Sequence, residues 1–151
     1  MEQQDGTEDL IFRLVYLMKR VMDRWTESKL AGITPESLNV VHLPYFMSIG
    51  DHGISNHALI RKIKVTKQGV SKTVKELENL GLVYTEKSET DARSIMIFLS
   101  PQGKLLFDSI RQNGLELHTE YKKFVGTKNF DTTLSTLTKM IDFHERLENE
   151  A

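Results

Sequence analysis

Between Ser55 and Pro101 the residues that start and stop helices fall so close together that few folds remain open to the chain. Ser55 and Thr66 can each cap a helix, because a hydroxyl oxygen accepts a backbone N–H left free in the first turn. Lys64-Val65 leaves only a tight connection between the two helices. Gly81 stops the second helix, since glycine adopts the left-handed conformation at little cost. Within it Val70, Val74, Leu77 and Leu80 line one side. Directly after Gly81 the pattern turns strand-like. Leu82 to Lys87 holds Val83, Tyr84 and Thr85, and Ser94 to Leu99 reads SIMIFL with Ile95, Ile97 and Leu99 on one face. The polar link from Ser88 to Arg93 joins these runs as a hairpin. Ser100-Pro101 then opens another helix, proline being suited to a first position that needs no amide hydrogen.

On the N-terminal side, residues from Asp9 to about Lys29 place apolar side chains at helical spacing, Leu10, Leu14, Leu17, Met18, Val21, Met22 and Trp25 among them. Gly32 ends this helix, and Thr34-Pro35-Glu36 is a good start for a second one reaching about Ile49. Pro44 lies inside that span and predicts a kink or an early end. Gly50-Asp51-His52-Gly53 reads as a turn rather than an acid–base pair. On the C-terminal side a long helix runs through Leu105, Ile110, Leu117 and Phe124, with Gly114 as a point where it can bend. After Gly126 a last helix carries Phe130, Leu134, Leu137, Ile141 and Leu147. The fold class that follows is mainly α with a small β-hairpin wing (α+β). It is one domain over residues 1–151, with a winged helix-turn-helix over about 34–101 and association helices over about 8–31 and 102–151.

Composition narrows the function classes. The chain has no cysteine, which removes disulfides, thiol nucleophiles, cysteine-ligated zinc and thiol redox sensing together. No apolar run approaches the ~18 residues of a membrane span, and the acidic start MEQQDGTEDL is unlike a secretion signal. A cytoplasmic protein without membrane contact is expected. Net charge is -1, but from Ser55 to Lys104 nine Lys and Arg face five Asp and Glu, a local +4 against -5 elsewhere. A basic middle between acidic ends suits a nucleic-acid-binding module flanked by association helices. His42, His118 and His144 show no metal-ligand spacing, and no Walker loop, dinucleotide fingerprint or nucleophile elbow is present. The expectation is a non-enzyme with no metal and no cofactor.

In a helix-turn-helix the second helix enters the major groove with its N-terminal residues toward the base edges. Here Thr66, Lys67, Gln68, Ser71, Lys72 and Lys75 lie off the apolar face of Val70, Val74 and Leu77. Gln can pair with adenine, Lys with guanine or phosphate, and Ser or Thr with either. The same residues would also suit a solvated helix face, so periodicity alone leaves both readings open.

The run KQGVSKTVKELENLGLV, then TDARS, then IFLSPQGK resembles the MarR family, the multiple antibiotic resistance repressors. The shared features are Gly81-Leu82-Val83 at the strand start, Asp91 and Arg93 in the wing, and Leu99-Ser100-Pro101-Gln102-Gly103 at the strand end. The resemblance implies a homodimer that represses transcription on a palindromic site in double-stranded DNA. It implies DNA contacts from Ser55, Thr66, Lys67, Gln68, Ser71, Lys72, Lys75, Lys87, Asp91 and Arg93. Arg93 would enter the minor groove and Asp91 would hold it or shape the hairpin. Thr85 and Glu86 stand where relatives commonly carry basic residues, and Glu89 adds a further negative charge. A small aromatic effector is also implied, with Met18, Met22, Trp25, His42, Tyr45, Phe46 and Ile110 as its candidate lining. Ordinary core packing explains the same spacing. The rival function is a winged-helix module for protein contact with no DNA target. Independently of the resemblance, the wide stripe of the first helix and the apolar face of the last exceed what one small chain can cover, which predicts a helical dimer interface.

Overall fold

A computed structural model describes residues 10–151. The acidic start and the first residues of the expected helix, up to Asp9, lie outside the described part. Helix α1 covers Ile11–Leu30 and is followed by α2, Leu43–Phe46. A two-residue strand β1, Ile54–Ser55, leads into α3, Asn56–Ile63, and α4, Lys67–Asn79. Strands β2, Val83–Lys87, and β3, Ile95–Leu99, form the hairpin, and α5, Pro101–Val125, and α6, Thr127–Glu150, complete the chain. The architecture is mainly helical with a small antiparallel wing, as the sequence predicts.

The sheet has the order β1-β3-β2, all antiparallel, with Val83 opposite Leu99 and Lys87 opposite Ile95. β1 was not foreseen. Two residues carry no readable alternation, and their strand exists only because Ile54 and Ser55 meet Ile97 and Met96. β3 is therefore central, and Ile97 is fully buried there. Phe46, Leu59, Leu77 and Leu82 join it in the core, with Val70 and Val74 projecting from α4. Gly103 lets α5 start hard against the sheet, since a Cβ there would overlap the Leu82 carbonyl.

The second expected helix is the main departure. Residues 35–42 form turns, and helix begins only at Leu43. Thr34 does not cap forward: its hydroxyl and its N–H both donate to the Leu30 carbonyl, closing the end of α1. Asn39 keeps the next segment from winding. Its side-chain oxygen accepts the Val41 N–H at 2.9 Å, and its own N–H donates to the His42 ring at 3.1 Å. Such local side-chain bonds compete with the helical pattern. Pro44 accordingly produces no kink; it sits in the first turn of α2, where its missing N–H costs nothing. α5 continues through Gly114 as helix.

The chain divides into two compact units, one ending at Ile110 and one covering Arg111–Ala151. In the second, Gly126 takes φ +92° between α5 and α6, and Phe130 is buried against Tyr121 and His118 with ring centroids 6.0 and 5.2 Å away. In the first, α1 exposes Ile11, Phe12, Leu14, Val15, Met18 and Val21. In the second, α6 exposes Leu134, Leu137, Ile141, Phe143 and Leu147. Among the described residues no helix is long and apolar enough to cross a membrane.

Candidate nucleic-acid interface

The interface begins with two caps. Ser55 Oγ accepts the Ala58 N–H at 3.1 Å and starts α3, and Thr66 Oγ1 accepts the Gly69 N–H at 2.9 Å and starts α4. Lys64 adopts φ 56° between them, the single non-glycine left-handed residue among those described. That conformation turns the chain sharply, and the Val65 N–H closes back on the Ile60 carbonyl at 3.3 Å. The result places α4 against the core through Val70, Thr73, Val74 and Leu77. Its other side carries Lys67, Gln68, Ser71, Lys72 and Lys75, all exposed, with Thr66 exposed just ahead of them. Among the described residues Lys67, Lys72 and Lys75 make no ion pair, so their charge is available to a partner.

Two contacts not foreseen from sequence hold α4 in place. An added Cβ at Gly69 would lie 2.9 Å from the Tyr45 hydroxyl, so the missing side chain lets α2 approach the first turn of α4. Farther along, Glu76 accepts a 2.6 Å hydrogen bond from His42 Nε2. The proton can be assigned to Nε2 because Nδ1 already accepts the Asn39 N–H. His42 is buried, whereas the Glu76 side chain is about half exposed. Gly69 was visible only as a helix-interior glycine, and His42 and Glu76 are too distant in sequence for any spacing rule to join them.

The wing is shaped by its own polar residues. Asp91 Oδ1 accepts the Arg93 N–H at 2.9 Å, and the Asp91 carbonyl accepts the Ser94 N–H at 3.0 Å. Asp91 thus forms the turn; no ion pair joins it to the Arg93 side chain among the described residues. Arg93 and Lys87 are exposed, as are Glu86 and Glu89. Buried Asn56 on α3 ties the wing to the helices, its Oδ1 accepting the Ile95 N–H at 3.3 Å. Ser55 is half-buried with its oxygen committed to the cap, so it positions α3 before it can touch anything else. At the opposite strand end Lys104 bonds to Asp51 and, at 2.9 Å, to Asp108. The Asp51 bond is the main cause of an ammonium pKa raised above its usual value, with Asp108 second.

Of the residues considered for an effector, Phe46 and Ile110 belong to one buried core cluster and Tyr45 packs against it. Met18 and Met22 are exposed on α1, Trp25 and Tyr45 are half-buried, and Phe46 is enclosed edge-on to Phe107 at 6.2 Å. Ile110 is buried, and His42 is held by Glu76. A cavity of about 420 Å³ lies elsewhere, at the end of α1 and along residues 31–43, and none of those seven lines it. Among the described residues no three His, Asp or Glu side chains gather as metal ligands would.

Residues 32–94 match the sequence model of the MarR family. No curated protein matches the chain. Among solved structures, the chain is similar to a MarR transcriptional regulator from Methanosarcina mazei Go1, with TM-score 0.78 and 19% identity over 91% of this chain and 97% of that one. It is similar to a MarR protein from Peptoclostridium difficile DA00132, with TM-score 0.81 and 18% identity over 99% and 95%. It also resembles Streptococcus pneumoniae FabT, solved in complex with DNA, with TM-score 0.75 and 16% identity over 91% and 96%.

Proposed function

We propose that the chain, whose residues 32–94 match the MarR family model, is a cytoplasmic transcriptional regulator of that family that binds specific sites in double-stranded DNA. The observation that carries this reading is the α4 face. Every residue expected to read DNA from it is exposed, its three lysines make no ion pair among the described residues, and its opposite face is locked into the core. Such a helix can enter a major groove without unmaking any contact of its own. Gln68, Ser71 and Lys72 would meet base edges, and Lys67 and Lys75 would meet phosphates. Arg93, carried outward by the Asp91 turn, would reach the adjacent minor groove.

The working unit in this proposal is a homodimer on a palindrome. The apolar stripes of α1 and α6 each lack cover in the single chain, and a second copy supplies it without exposing new apolar surface. A dimer seated on an operator excludes other proteins from the same groove faces, which makes repression the simplest mode of action. Release by a small aromatic compound completes the scheme.

Glu86 and Glu89 on the wing favour the rival reading, a module for protein contact, because they repel phosphate. Selection of fragments from a random duplex pool, followed by affinity measurements over a range of salt, decides between them. An enriched palindrome and a steep salt dependence support the regulator. Absence of duplex binding at low salt would sink it.

A further inference from the structure

We propose that the cavity at the end of α1 binds an organic cation with an apolar, aromatic body, and that occupancy reaches α4 through Asn39, His42 and Glu76. Only the last step rests on the reading of the chain as a DNA-binding regulator. At about 420 Å³ the cavity is in the size range of small-molecule sites. Leu30, Leu38 and Leu43 supply apolar wall, and Glu27 and Glu36 supply the charge. No Lys, Arg or His lines it, and neither carboxylate has an ion-pair partner among the described residues. An aromatic acid entering here would bring a third negative charge to two uncompensated ones. A cation of the same shape would be attracted by both. Charge complementarity therefore selects the class of occupant, where apolar walls alone would not.

The cavity is also wired to the DNA-reading helix. Asn39 belongs to its wall, and the Asn39 N–H donates to His42 Nδ1 at 3.1 Å. The opposite ring nitrogen donates to Glu76 at 2.6 Å, and Glu76 is on α4, one residue past Lys75. A ligand that pushes on the turn over residues 38–43 displaces the imidazole, and with it the anchor of α4. It shifts the helix only so far as it binds the displaced turn better than the resting one.

The full-length chain can be titrated with tetraphenylphosphonium and with tetraphenylborate, ions of one shape and opposite charge. Calorimetry and the fluorescence of Trp25 report binding; this single tryptophan precedes Thr26, a wall residue. Expected is one phosphonium per chain, held at least about tenfold more tightly than the borate, a factor equivalent to about 1.4 kcal/mol. Glu27→Gln with Glu36→Gln should weaken the phosphonium by a similar factor. Both positions are exposed, so the fold should survive, which circular dichroism verifies. Equal binding of the two ions, or indifference to the double substitution, would mean adsorption to the apolar stripes and overturn the site. For the coupling, phosphonium should change the affinity of the wild type for its selected duplex but not that of Glu76→Gln. An unchanged wild-type affinity, or an equal change in Glu76→Gln, overturns that step. Were no duplex bound at all, the regulatory reading would fall while calorimetry still decided the cation site.

Discussion

Lys75→Ala tests the interface with a number. Lys75 is exposed on α4, makes no ion pair among the described residues, and lies one turn beyond Ser71 on the outward face. Alanine is the best helix former, so the substitution removes a charge without cost to the helix. If Lys75 neutralises one phosphate, each copy contributes about 0.9 to the slope of log affinity against log salt. A homodimer carries two copies, so the slope should fall by about 1.8. Raising salt fourfold, from about 50 to about 200 mM, should then shrink the wild-type advantage by roughly twelvefold. Fluorescence anisotropy with the selected duplex at four or five salt concentrations gives both slopes. The deficit should be alike on matched and mismatched duplex, because phosphate contacts carry no sequence information. Parallel salt plots would refute the phosphate role of Lys75. A slope change near 0.9 would refute two equivalent copies on one site while leaving the contact intact.

Three further outcomes follow from the same geometry. Gln68→Ala should relax base preference at one position of each half-site, costing about 1–3 kcal/mol there, as read by repeating the selection; an unchanged consensus would remove Gln68 from base reading. Gly103→Ala should destabilise the chain by about 3 kcal/mol in urea unfolding, because the new methyl meets the Leu82 carbonyl, which cannot rotate away. Deleting residues 130–151 removes Phe130 and the exposed face of α6, and should abolish the dimer that sedimentation of the full chain is expected to show. A full-length monomer at micromolar concentration would contradict the dimer itself.

What the sequence determined on its own was local. Ser55, Thr66 and Ser100 each accept a backbone N–H three residues on, and the Gly81 N–H closes on the Glu78 carbonyl three residues back, so the limits of α3, α4, the hairpin and the start of α5 could be read directly. The outward face of α4 was equally legible, because Val70, Val74 and Leu77 at helical spacing dictate which side must be buried. The local reading erred where two local signals competed: Thr34-Pro35-Glu36 resembles a helix start, but Thr34 turned back to Leu30 and Asn39 satisfied its own turn. Tertiary structure alone decided the contacts between distant residues. Ile54 and Ser55 become a strand only by meeting β3, and Gly103 matters only because the Leu82 carbonyl lies against it. His42 meets Glu76 across 34 positions, and the carboxylates of Glu27 and Glu36 share a cavity that no periodicity outlines. Caps and periods report what a residue does to its own helix or strand, whereas a cavity or an anchor depends on where separate segments come to rest once their apolar faces are packed.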